Sequence, residues 1–142
     1  MDANIPVEQV NVITPILPPK KPGTLTALAI MTLISGILNI IGGASATIAI
    51  VLGTLGIGLL CAPITILPLI LGIFEILYAV KLLPDPIKAT KPSQALAIIQ
   101  IITILFGNVY TLVVGILALV FYSQDEVKNY FAWINPQAID QE

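Results

Sequence analysis

The chain has 142 residues, 57% of them hydrophobic and only 10% charged, with six Lys, no Arg and eight acids giving a formal net charge of −2. Soluble domains average roughly 45–50% apolar and about 25% charged residues, and small ones bury only about 60–70% of their unfolded surface, so this composition belongs in a membrane. With no His and one Cys, the chain lacks the groups for Ser-His or Cys-His catalysis, histidine-ligated haem, an internal disulfide or a cysteine metal cluster.

Residues 1–22 read as a Pro-rich extended arm. Asp2 and Glu8 fall where a signal peptide would carry its apolar core, and the run ITPILPP at 13–19 has polyproline character. An arm of this kind is expected to be ordered by a partner protein.

No charged side chain occurs at 22–74 or at 92–124. A spanning helix takes ~20 apolar residues at ~1.5 Å each, so the first run must fold back on itself. Gly42-Gly43-Ala44-Ser45 is the expected first break and Cys61-Ala62-Pro63 the second. That places spans at about 23–41, 46–61 and 64–83, the last ended by Pro84-Asp85-Pro86. Residues 95–122 read as one tilted span kinked at Gly107-Asn108, with a re-entrant pair as the alternative.

The tail then changes character. Ser123-Gln124-Asp125-Glu126 has the form of a capping box, with two acids at a helix N-terminus. Val127, Tyr130, Phe131 and Ile134 follow as an apolar stripe flanked by Trp133. An aromatic amphipathic helix of this kind is expected at headgroup level, or docked on a partner. The expected fold is therefore all-α: a transmembrane bundle of about four spans over 23–122, and an interface helix with its tail over 123–142.

Orientation is weakly written. Under four spans, Lys20, Lys21 and Lys128 lie on one side and Lys81, Lys88 and Lys91 on the other, so the positive-inside rule casts no vote. The Lys pair before the first span favours cytoplasmic termini in a multi-pass protein of the inner (cytoplasmic) membrane. No basic cluster suits nucleic acid, and no cofactor is expected.

Small and polar residues mark packing faces, since lipid supplies no hydrophobic drive between helices. Ser45, Ala49 and Gly53 repeat every four residues, with Thr54, Gly58 and Ala62 beside them. Such rows pack helices within one chain or against a partner subunit. Thr32, Ser35 and Asn39 form one polar seam, and Gln100, Thr103 and Gly107 another. Glu75 is the one carboxylate inside an expected span, on a face with Pro68, Gly72 and Ala79. A bare carboxylate is costly there, and Gln100, Ser35 and Asn108 are its candidate hydrogen-bond partners. Three roles fit it: a neutral clamp between helices, a proton or cation pathway, or a contact to a neighbouring subunit or lipid.

The run GIFEILYAVKLL at 72–83, followed by VFYSQDEVKNYF at 120–131, resembles small bacterial four-helix membrane proteins of unassigned function. The likeness covers 23–131 and implies a fold without an activity. The plan is also similar to small multidrug transporters, but their essential glutamate lies in the first helix and Glu75 lies in the third expected span. The expected function is a non-catalytic accessory or structural subunit of a larger membrane complex. The alternative is a minimal transporter or proton-conducting protein built on Glu75.

Overall fold

Where an apolar sequence carries no stop signal, a helix runs on. The computed structural model describes residues 19–88, 90–106 and 108–136, and its first helix, α1, is continuous over Gly23–Gly53, 31 residues and about 46 Å at the helical rise. The expected break at Gly42-Gly43 does not occur, so 23–41 and 46–61 are not two spans. Gly43 has another use. A Cβ there would lie 3.1 Å from Leu69 N and 3.3 Å from Thr65 O, so this glycine lets α1 approach the backbone of the returning helix.

The reversal comes a dozen residues later. Leu55 (φ 51°) and Gly56 (φ 94°) take left-handed conformations, and the Thr54 hydroxyl accepts the Gly58 N–H at 2.6 Å. A short 3₁₀ turn, Ile57–Cys61, leads into α2, Ala62–Leu82, close to the expected third span. The α1–α2 seam is built on facing glycines. A Cβ on Gly36 would sit 2.7 Å from Gly72 O, and one on Gly72 would sit 2.6 Å from Gly36 O.

Residues 95–122 are two helices rather than one kinked span. Helix α3 covers Gln94–Ile102 and continues as a 3₁₀ turn, Thr103–Phe106; α4 covers Val109–Ser123. They are antiparallel, because a Cβ on Gly115 would meet Ala97 O at 2.7 Å and Gln100 Cβ at 2.9 Å. The cause is local. The Asn108 side chain accepts the Thr111 N–H at 3.1 Å and so starts a new helix. At ~1.5 Å per residue neither helix reaches the ~30 Å of a hydrocarbon core. Among the described residues two helices, α1 and α2, are long and apolar enough to cross a membrane, fewer than the four expected.

Helix α5, Asp125–Ile134, bends 76° away from α4. No capping box forms: the Ser123 hydroxyl donates to Val120 O at 2.7 Å, and the N-cap position falls on Gln124 without a side-chain bond. The apolar stripe turns onto its own bundle instead of toward headgroups or another chain. Tyr130 is 2% exposed and Phe131 5% exposed, packed in one cluster with Leu25, Leu28, Leu82 and Ile87. Ile134 packs partly against that cluster, whereas Trp133 remains 40% exposed. The nearest large apolar surface is the end of the bundle, and the stripe covers it.

Lys21 closes the same end. Its Nζ donates to the carbonyls of Leu82 (2.6 Å), Leu83 (3.0 Å) and Pro84 (3.3 Å), the last carbonyl of α2 and the two that follow it. Burial pushes this ammonium below its ordinary value, and the charge of Asp85 raises it in part; three acceptors match its three donors. Lys20, Lys81, Lys88, Lys91 and Lys128 flank the same end, because Lys21 joins the start of α1 to the end of α2 and Tyr130 joins α5 to Ile87. Among the described residues, no charged side chain lies at the opposite end, around Leu55.

Two measurements check this packing. Gly36→Ala should lower stability by about 1–3 kcal/mol, the range for overpacking, while Gly53→Ala, with nothing within 4 Å of the added Cβ, should be neutral in the same detergent melts. Tyr130→Phe should cost about 1–2 kcal/mol, because the buried Ile87 N–H bonds to the Tyr130 hydroxyl at 3.2 Å and would lose its acceptor.

Candidate functional site

Glu75 is fully buried on α2, on the face that Gly72 and Ala79 share. A carboxyl without water must find donors within the protein. It finds three. Oε1 accepts from Ser35 Oγ at 3.3 Å and from Gln100 Nε2 at 2.8 Å; Oε2 accepts from Asn39 Nδ2 at 2.8 Å. Ser35 and Asn39 lie one turn apart on α1 and Gln100 lies on α3, so three helices meet at one side chain. Helix α4 joins at one remove. Asn108 Nδ2 donates to Asn39 Oδ1 at 2.6 Å, and Thr111 Oγ1 stands 3.1 Å from Ser35 Oγ and 3.4 Å from Asn39 Oδ1.

The direction of these bonds is determined from one end. A backbone N–H can only donate, so the Asn108 oxygen must face Thr111 N. Its amide nitrogen then faces Asn39 and donates to the oxygen there. Asn39 in turn presents its nitrogen to Glu75. Oε2 is thereby an obligate acceptor, and any proton on the carboxyl resides on Oε1. The hydroxyls are free to reverse: with the carboxylate ionised the order is Thr111 to Ser35 to Oε1, and with Oε1 protonated it is Oε1 to Ser35 to Thr111 to Asn39 Oδ1. Two amides hold one oxygen while two hydroxyls adapt to the other.

Of the partners expected from sequence, Ser35 and Gln100 bond Glu75 directly, and Asn108 reaches it only through Asn39. Gln100 and Asn39 can only donate to the carboxyl, whereas Ser35 donates to the carboxylate and receives from the protonated form. Asn39 and Thr111 were not expected as partners. The signal for Asn39 was its i, i+4 spacing from Ser35; for Thr111 it was the position three residues after Asn108, the N-cap spacing. The small-residue row is elsewhere. Ser45, Ala49 and Gly53 are exposed and take no part in the α1–α2 seam, whereas Gly58 is buried in the reversal.

Beyond the tip of the α3–α4 hairpin lies a cleft of about 380 Å³, lined by Asn39, Gly42, Ala46, Pro68, Thr103 and Asn108 among others. Asn39 belongs both to its wall and to the Glu75 network. Among the described residues, no group of three or more His, Cys, Asp or Glu is placed to hold a metal ion. Comparison with family models, curated proteins and solved structures finds no match to this chain.

Asn39→Leu tests the network. It strips Oε2 of its donor and Asn108 of its acceptor together, so its cost should be about 1–2 kcal/mol, the upper range for interhelical hydrogen bonds in membranes. Gln100→Leu removes a single donor to Oε1 and should cost less in the same thermal-melt series.

Proposed function

We propose that this chain is a non-catalytic, multi-pass protein of a cytoplasmic membrane, acting as an accessory or structural subunit of a larger membrane complex. The observation that carries this reading is the unequal reach of its two hairpins. The α3–α4 hairpin ends at the level of Asn39, and α1–α2 continues past it with no other helix among the described residues as cover. That bare half exposes Ile41, Ile48, Leu52 and Leu60, together with the small row Ser45, Ala49 and Gly53. Small-xxx-small rows suit close approach by another transmembrane helix. The Glu75 network supports a structural role, since each direct contact ties one helix to another.

The lysines support one orientation. With α3–α4 entering and leaving on one side, all six fall at the same end instead of three against three. The positive-inside rule then makes that end cytoplasmic. Both helix-bundle termini, near Lys21 and Ser123, share it.

A second reading, a minimal transporter or proton-conducting protein, draws on the cleft: Asn39 in its wall is one hydrogen bond from Glu75. Two measurements separate the readings. As a subunit, the chain should purify in mild detergent at fixed stoichiometry with another membrane protein by native mass spectrometry. Ala49→Trp should release that partner without changing the melt of the isolated chain. Reconstituted alone, wild type and Glu75→Gln should both leave a proton gradient intact. Flux in wild type that Glu75→Gln abolishes would replace the subunit reading with conduction.

A further inference from the structure

Two contiguous cavities lie where α2 and α3 meet the lysine-bearing end of the bundle. The first, about 470 Å³, is an apolar groove walled by Leu71, Phe74 and Leu77 of α2 and by Ala95, Leu96 and Ile99 of α3. The second, about 440 Å³, is lined by Lys81, Lys88, Thr90 and Lys91. Tyr78 and Lys81 line both, so an apolar compartment adjoins a cationic one. Among the described residues no carboxylate lines either. Among the described residues the one ion pair is Lys128–Asp125 at 3.7 Å, which leaves these three exposed lysines without an acidic partner.

We propose that this composite cavity binds one anionic glycerophospholipid, with an acyl chain along the α2–α3 groove and its phosphate among Lys81, Lys88 and Lys91. Charge complementarity selects the headgroup, and the groove selects a lipid over a free anion. The site is held in shape before any ligand arrives. The Tyr78 hydroxyl donates to Lys91 O at 3.3 Å and accepts the Ser93 N–H at 3.0 Å, fixing the chain on one side of the lysines. Asn135 Nδ2 donates to Thr90 O at 3.0 Å and Tyr130 holds Ile87 N, fixing the chain that carries Lys88. Anchoring Ile87, Thr90, Lys91 and Ser93 in advance removes an entropic cost from binding. Lys81, in the last turn of α2, extends from an apolar helix toward the headgroup level as long cationic side chains do. The proposal rests on membrane insertion and is independent of any protein partner.

Native mass spectrometry of the intact chain in mild detergent tests it, with phosphatidylglycerol and phosphatidylcholine of matched acyl chains as probes. Phosphatidylglycerol should bind more tightly, and each Lys→Gln change at 81, 88 or 91 should weaken it about fivefold, the contribution of one basic residue at an anionic surface. These side chains are exposed, so the variants should keep the wild-type melt. Ala95→Phe, which fills the groove, should weaken both lipids, and glycerol phosphate in excess should not displace the bound lipid. Equal retention of the two lipids by wild type would overturn the proposal, as would a triple variant that still prefers phosphatidylglycerol. Complete displacement by glycerol phosphate would overturn it too, because the site would then recognise an anion without its acyl chain.

Discussion

A carboxyl group sealed among apolar helices must be hydrogen-bonded by whatever the chain can bring to it. Glu75 imposes that requirement, and much of the architecture answers it. Donors come from α1 and α3 directly, and α4 supplies the polarity that aims the α1 donor. The helix break at Thr103–Asn108 is part of the same answer. Had residues 95–122 continued as one helix, Gln100 and Asn108, about two turns apart, would lie some 12 Å apart along the axis at the helical rise. Folding back brings both into reach of the network, Gln100 from one arm and Asn108 from the other.

Parts of this were legible in the sequence because they depend on local chemistry. The buried face of Gly72, Glu75 and Ala79, the polar seams of α1 and α3, and the extent of α2 and α5 all follow from spacing and from Pro or charge at the ends. Other parts were not, for a reason specific to apolar sequence. Gly42-Gly43 signals a turn in water, where exposed backbone is solvated; packed on another helix, the same lack of a side chain permits close contact, as Gly43 against Leu69 shows. The true reversal uses Leu55 in a left-handed conformation, which no composition rule anticipates. The α5 stripe was equally readable as a face, but its period does not say which apolar surface the face will meet.

Charge placement depends on that same connectivity. A four-span chain divides its lysines between two faces and leaves orientation unspecified; the folded-back α3–α4 hairpin gathers them at one end of the bundle. Lys21 illustrates how tightly this end is tied. It is spent on the carbonyls of α2 rather than on water, so it fastens the start of α1 to the end of its partner helix. Lys81, Lys88 and Lys91 remain unspent. The same lysine-rich end thus contains both a structural cap and three lysines without a side-chain ion pair among the described residues.

Satisfying Glu75 also has a geometric consequence at the other end. The α3–α4 hairpin stops where its polar groups are used, at Asn39, and extending it would carry Asn108 past the network it completes. What lies beyond is a two-helix ladder whose seam is closed by Gly43 and by Thr47, which donates to Thr65 Oγ1 at 2.9 Å. Among the described residues no further helix covers its outer faces. Bare apolar helix is stable in lipid, so exposure of Ile48 or Leu52 alone requires nothing further. The row of Ser45, Ala49 and Gly53 differs, since small side chains gain little from lipid and much from a close helical neighbour. A bundle organised around an internal carboxyl in one half and offering a small-residue face in the other fits a protein completed by its partners better than one that works alone.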